Sequence, residues 1–341
     1  MEPVSPAVGG GPGPRRLGVV GTMVWDTIHA RDVRDGPVEE WGGIGYALEA
    51  LSVTLPPSWE IAPIVKVGED LAEPAFHYLR TLPRIRLEPG VRVVAEPNNR
   101  VELRYRNEER RTERLTGGVS SWAWPELAPL VRECDALYVN FISGREMELE
   151  TARSVRASFR GPMYADLHSL FLGVTSHGDR FPRPLPFWSE WLRSFDAVQM
   201  NEDEFHLLGR ARGDPWRLAA EEVGPELKLI AVTLGAEGAA YVAGPGFCPD
   251  PFSWPELRDR IAMPGASRSG KVSSEAGPEE GDPTGCGDVW GATFFSMLLA
   301  GSDLEKAMSR ANEIAQRNVQ HRGARGLRYH LQNRLPGETG G

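Results

Sequence analysis

A series of short apolar runs, each bounded by Gly, Pro or Asp, sets the strongest limit on what this chain can fold into. They lie at 17–21 (LGVVG), 61–68 (IAPIVKVG), 136–142 (ALYVNFI), 162–167 (PMYADL), 196–201 (DAVQMN), 228–235 (KLIAVTLG) and 238–243 (GAAYVA). Several are continuous rather than alternating, the pattern of strands covered on both faces of a parallel sheet. Helix-like segments such as 71–82 and 202–209 separate many of them. That alternation predicts a layered α/β domain. Two helices are expected to close the chain. The first, 289–299, is apolar nearly all round and should be buried. The second opens on a capping box of Ser302 and Glu305, and sets Leu304, Ala307, Met308, Ala311 and Ala315 on one face.

Composition narrows the function. Lys plus Arg number 38 against 47 for Asp plus Glu, a net charge of −9. That disfavours a nucleic-acid or anionic-membrane binder. Cys134, Cys248 and Cys286 are widely spaced, which argues against a disulfide framework or a zinc site and suits a cytoplasmic protein. No apolar run has the length of a membrane span, and no secretory leader is expected. Gly- and Pro-rich composition predicts disordered tails at 1–16 and 331–341 and a flexible loop at 264–281. In 91–115, Val101, Leu103 and Tyr105 alternate with Glu102, Arg104 and Arg106, with a polar turn near Asn107. This reads as an exposed hairpin: a lid over a site, or a solvated strand face.

The most informative string is DPTGCGD, 282–288. Gly285 and Gly287 permit a tight turn whose N–H groups, with those of the following helix N-terminus, can form an anion hole for a phosphoryl group. Asp288 beside that hole could take a proton from an attacking hydroxyl, or could simply cap a helix after a glycine turn. The string GASRSGK, 265–271, has P-loop spacing, but Val272 replaces the magnesium-binding hydroxyl and no buried helix follows. Asn201 and Glu204 follow a strand-like run, where open α/β sheets place ligands, and a Glu there could organise magnesium through water. Gly235 and Gly238 read as a hairpin turn. No histidine pair has ligand spacing, and His168 and His321 read as structural.

Taken in order, these pieces resemble the ribokinase-like (PfkB) family of carbohydrate and nucleoside kinases, over about residues 17–330. The resemblance rests on Asp282 to Asp288, with Cys286 where Ala is usual, and on Asn201 with Glu204. It rests also on 232–238, on 67–70 (VGED), on 311–324 (ANEIAQRNVQHRGA), on Gly21 with Asp26, and on Gly42 with Gly43. It implies a Rossmann-like three-layer α/β domain with a mainly parallel sheet and a small β lid formed near 27–41 and 89–116. It implies an ATP-dependent kinase that phosphorylates a hydroxyl of a small sugar, polyol or nucleoside. Asp288 would be the catalytic base, with Gly285, Cys286 and Gly287 in the anion hole. Asn201, Glu204, Thr233, Gly235, Gly238 and Asn312 would bind Mg-ATP, Glu204 holding Mg2+ through water. Asp26, Gly42 and Gly43 would bind substrate. Asp282, Thr284 and Gly323 would hold a monovalent cation such as K+. Two positions depart from the pattern: Ala47 replaces a hydroxyl-binding Asn, and Leu327 stands where a side-chain oxygen often completes the cation site. A non-catalytic binding protein of the same fold is the alternative, and the lid could pair two copies as a homodimer.

Overall fold

The computed structural model describes residues 13–29, 36–105, 111–209, 213–258, 260, 265–274 and 281–332. The strands are β1 (Arg15–Val20), β2 (Met23–His29), β3 (Pro37–Gly43), β4 (Trp59–Gly68), β5 (Val91–Val94), β6 (Arg100–Tyr105), β7 (Arg111–Thr116), β8 (Ala136–Asn140), β9 (Met163–Asp166), β10 (Leu172–Val174), β11 (Arg180–Pro182), β12 (Ala197–Asn201), β13 (Leu229–Thr233), β14 (Ala239–Ala243) and β15 (Arg268–Val272). Nine of them form one sheet in the order β15-β14-β13-β12-β9-β8-β1-β4-β5. It is parallel from β13 to β5, and β14 and β15 extend it antiparallel.

The continuous apolar runs are strands because both sheet faces are covered. Leu17 and Val19 of β1 point into one core cluster, with Tyr138, Phe294 and Phe295. Val20 points into the other, with Val139, Phe171 and Phe205. Helices Ile44–Thr54, Cys286–Leu299 and Leu304–Asn318 pack on the first face. Helices Trp124–Val131, Leu149–Ser158 and Pro215–Glu222 pack on the second. The three-layer α/β expectation holds.

The lid is a separate sheet ordered β3-β2-β6-β7. β6 and β7 lie within 89–116, β2 begins at Met23, before the expected 27–41, and β3 runs past it to Gly43; β5, within 89–116, joins the central sheet instead, paired parallel with β4. Val101 and Leu103 are buried with Val24, Ile28, Leu115 and Ile142, so the lid's apolar side faces the body of the domain. The turn expected near Asn107 lies outside the described residues. A small hairpin, β10 with β11, has no clear signal in the sequence. It docks on the lid's β7 edge, where Leu115 N donates to Gly178 O at 2.8 Å.

Further differences have local causes. Within the expected flexible loop, 268–272 form edge strand β15, because β14 offers an unpaired edge and Asn312 Nδ2 donates to Val272 O at 3.0 Å. Arg15 and Arg16, within the expected tail, start β1 beside β4. Leu331, at the head of the expected second tail, ends helix Leu327–Leu331. The last long helix is capped by Asp303, whose side chain accepts from Lys306 N at 2.9 Å, one residue after the expected Ser302.

At the end of the sheet opposite the site, Asp196 is fully buried and gathers the side chains of Arg156, Lys228 and Arg258. It also accepts from Met163 N at 2.9 Å, tying β9 to β12. Burial would push its carboxyl up, but the three cations outweigh burial and hold it below the usual range. Removing the carboxylate would strand those cations. Asp196→Ala should therefore lower the unfolding free energy by roughly 3–5 kcal/mol in urea titration. A loss below about 1 kcal/mol would show that the cluster does not hold the strand ends together.

Candidate active site

The buried helix Cys286–Leu299 aims its N-terminus at the carboxyl ends of β8, β9 and β12. Two glycines let it come so close. A Cβ on Gly291 would stand 2.2 Å from Gln199 Oε1 and 2.9 Å from Tyr138 OH. Gln199 Nε2 donates to Gly287 O at 3.0 Å, and to Asp166 Oδ2 at 3.2 Å. Gly285, the N-cap, takes the left-handed conformation with φ 79°, and a Cβ there would overlap the Tyr46 ring at 2.3 Å. The turn is thus fixed from both sides, and the Cys286 amide within it donates to Pro283 O at 3.1 Å.

Asp288 stands in that first turn and accepts a 2.8 Å hydrogen bond from Asn140 Nδ2. Asn140 Oδ1 and the Tyr138 hydroxyl are buried without hydrogen-bond partners. Asp166, at the end of β9, lies within reach of the Asp288 charge. Burial first, and that charge second, push the Asp166 carboxyl up to about 8. His168 donates its backbone N–H to Asp166 Oδ1 at 3.1 Å, and its Nδ1 bonds Glu204 Oε1. Burial alone would depress the imidazole, but Glu204, Asp166 and Glu113 outweigh it and hold it up at about 9.

Asn201 and Glu204 form a reciprocal cap at the start of helix Glu202–Gly209. Glu204 N donates to Asn201 Oδ1 at 2.9 Å, and Asn201 N to Glu204 Oε2 at 2.8 Å. Thr233 ends β13, and Gly235 and Gly238 hold the turn into β14 with φ 57° and 98°. Asn312 is engaged within the scaffold: Oδ1 accepts from Trp290 Nε1 at 2.8 Å and Nδ2 donates to Val272 O. Asp26 is buried on the inward face of β2, and a Cβ on Gly42 would fall 1.7 Å from its Oδ2, so only glycine admits that carboxylate. Gly43 takes φ 55° against Thr22 O. Tyr46, three residues on, meets Gly285, which joins the lid base to the catalytic turn.

Among the described residues, no group of three His, Cys, Asp or Glu side chains is placed to hold a metal directly. The carboxylates of Asp166, Glu204 and Asp288, beside the orphaned Asn140 and Tyr138 oxygens, suit magnesium held through water. At the positions where the resemblance puts a monovalent cation, oxygens take part in the scaffold. Thr284 O accepts from Asn318 Nδ2 at 2.8 Å, Asp282 Oδ1 from Thr284 N at 2.9 Å, and the fully buried Leu327 offers no side-chain oxygen. The P-loop-like string contributes only β15, with Lys271 paired to Glu237 at 2.5 Å.

Asn140, Asp166 and Gln199 were not legible as site residues, and His168 read as structural. Their one signal is position: each is polar in or just after an apolar run, near a strand's carboxyl end.

Residues 179–328 match the family described as pfkB family carbohydrate kinase. The fold is ribokinase-like. A Burkholderia thailandensis nucleoside kinase, solved in complex with inosine, superposes with a TM-score of 0.65 at 14% identity, covering 93% of this chain and 96% of that one. A Thermotoga maritima ribokinase gives 0.65 at 16% identity, over 94% and 98%. A pyrophosphate-dependent kinase of the ribokinase family, solved with a pyrophosphate analog and myo-inositol, gives 0.65 at 18%, over 93% and 99%. No curated protein matches the chain in sequence. No described helix is long and apolar enough to cross a membrane.

Two predictions arise from this geometry. Asp166 and His168 both titrate higher folded than unfolded, so the folded state holds extra protons. The contribution of Asp166 is complete below its ordinary 3.8 and lost as pH rises through about 8. That of His168 is complete below 6.5 and lost through about 9. Stability should therefore fall between pH 6.5 and 8, below the range where Lys228, pushed down to about 8 by burial, begins to act oppositely. Urea midpoints across that window check it, and His168→Gln should flatten the slope; a midpoint that rises instead would contradict the charge arrangement. Separately, Lys271→Ala should leave ATP affinity within about threefold, since an exposed ion pair is all it loses. A large loss by calorimetry would restore the P-loop reading.

Proposed function

From the ribokinase-like fold and the pfkB match over residues 179–328, we infer that this chain is an ATP-dependent kinase acting on a hydroxyl of a small sugar, polyol or nucleoside. The observation that carries the reading is Asp288, held by Asn140 beside the open first turn of a buried helix. In the proposed step the acceptor hydroxyl gives its proton to Asp288 as its oxygen bonds the γ-phosphorus, and the bond to the leaving ADP oxygen breaks. The amides of Gly285, Gly287 and Asp288 donate to the transferring phosphoryl oxygens, while Pro283 O holds the Cys286 amide. Asp166 and Glu204 would hold magnesium through water, which when bound offsets phosphate charge. Asp26 accepts hydrogen bonds from substrate hydroxyls, and the buried lid face over Ile142 excludes water.

A non-catalytic binding protein remains the second reading. It gains from Ala47, a fully buried methyl where a hydroxyl-binding side chain was expected. A panel of sugars, polyols and nucleosides, assayed for product with ATP and in parallel with pyrophosphate as donor, separates the two. Turnover with ATP is expected. Turnover with pyrophosphate alone would overturn the donor, and none with either would favour the second reading. Asp288→Asn should cut kcat roughly a hundredfold or more while keeping the fold, because Asn preserves shape but not the base. Near-normal turnover in that variant would sink the assignment.

A further inference from the structure

A cluster of positive charge lies outside the transfer site. A cavity of about 450 Å³ opens on the seam where the lid edge β7, the loop after β8 and the β10–β11 turn meet. Arg114, Arg145, His177, Ser143, Thr175 and Ser176 contribute to its lining, and no Asp or Glu does. This is unusual in a chain of net charge −9. Elsewhere Arg16, Arg100, Arg156, Arg193, Arg258 and Arg328 each meet a carboxylate. In the cavity the Arg145 guanidinium makes no hydrogen bond or ion pair with any described residue. Arg114 uses only Nε, donating to His177 O at 2.9 Å, which fixes the side chain and leaves its terminal nitrogens available.

Of the three carboxylates adjacent in sequence to the lining, Glu113 pairs with Arg180, Asp179 is exposed beyond Gly178, and Glu146 is turned away. Glu146 is buried in the body, where its Oε1 accepts from Thr22 Oγ1 at 2.6 Å and from the amides of Ile142 and Ser143 at 2.9 and 2.7 Å. Two guanidinium groups and an imidazole rimmed by hydroxyls match the charge and fork geometry of a phosphate, with room for a small molecule attached to it. None of Gly285, Cys286, Gly287 or Asp288 lines this cavity.

We propose that the seam cavity is a second ligand site, binding the phosphate group of a small phosphorylated metabolite. Its walls come from lid, body and the β10–β11 hairpin. A ligand there contacts all of them at once, and so favours the arrangement in which the lid is seated on the body. The site is a point of regulation by phosphorylated metabolites and takes no part in phosphoryl transfer.

The test is titration calorimetry of the full chain with inorganic phosphate and glucose 6-phosphate, with sulfate for comparison, joined to hydrogen exchange. Glucose 6-phosphate should bind more tightly than sulfate. Arg145→Gln, a change at an exposed side chain without partners, should weaken that binding roughly tenfold or more, the cost of one charge-assisted contact. Arg114→Lys, which keeps the charge and loses the fork, should weaken it less. Exchange should slow across 111–116 and 172–182 in the parent and not in Arg145→Gln. The proposal fails if affinity is equal in the parent and Arg145→Gln, or if protection appears only at 284–288, the transfer site. It also fails if sulfate binds as tightly as the sugar phosphate, or if no probe binds.

Discussion

The close approach of helix Cys286–Leu299 to the sheet governs the rest of the molecule. It is possible because position 291 carries no side chain, so Gln199 can lie against the helix and reach the Gly287 carbonyl. That one bond joins the middle of β12 to the first turn of the helix. The same glutamine accepts from Tyr164 Oη at 2.8 Å and donates to Asp166, so strands β9 and β12 and the helix share one buried polar network. A fully satisfied network of this kind specifies a single arrangement, because any shift leaves a buried group without a partner. The turn at 285–288 inherits that precision. Gly285 completes it from the other side by accepting the Tyr46 ring where any Cβ would collide.

The lid depends on this frame without being part of its sheet. Chain continuity through Gly42 and Gly43 into helix Ile44–Thr54 seats its base beside the catalytic turn. Ile142 from the loop after β8 and Val174 from β10 fill its inward face. Arg180 adds a polar fastening, donating to Ile142 O at 2.7 Å and pairing with Glu113 of the lid at 3.4 Å. The hairpin at 172–182 therefore makes the lid a braced element rather than a free flap.

What the sequence disclosed follows from which signals are local. Strands covered on both faces announce themselves as apolar runs, so β1, β4, β8, β9, β12, β13 and β14 were legible. Residues 268–272, RSGKV, carry no such signal; they are a strand only because β14 and Asn312 supply partners distant in the chain. The catalytic turn was legible because glycine spacing and Asp288 sit within one short string. Its partners Asn140, Asp166 and Gln199 were not, since the sheet order β12-β9-β8 brings them together and no spacing in the chain encodes that order. Asn312, which the resemblance puts near the nucleotide, has a side chain that links Trp290 to the β15 backbone.

The edge strand β15 has one more consequence. An open sheet ends in rows of backbone groups without neighbours, and such rows invite another chain to pair with them. Here the outermost strand at one end carries Arg268, Ser269 and Lys271 exposed to water. A second copy docking edge to edge would have to bring like charges together and strip them of solvent. The apolar β14, AAYVA, lies one place inward, shielded by a strand too polar to recruit others. The segment whose composition looked least structured thus makes strand pairing at this edge of the sheet unfavourable.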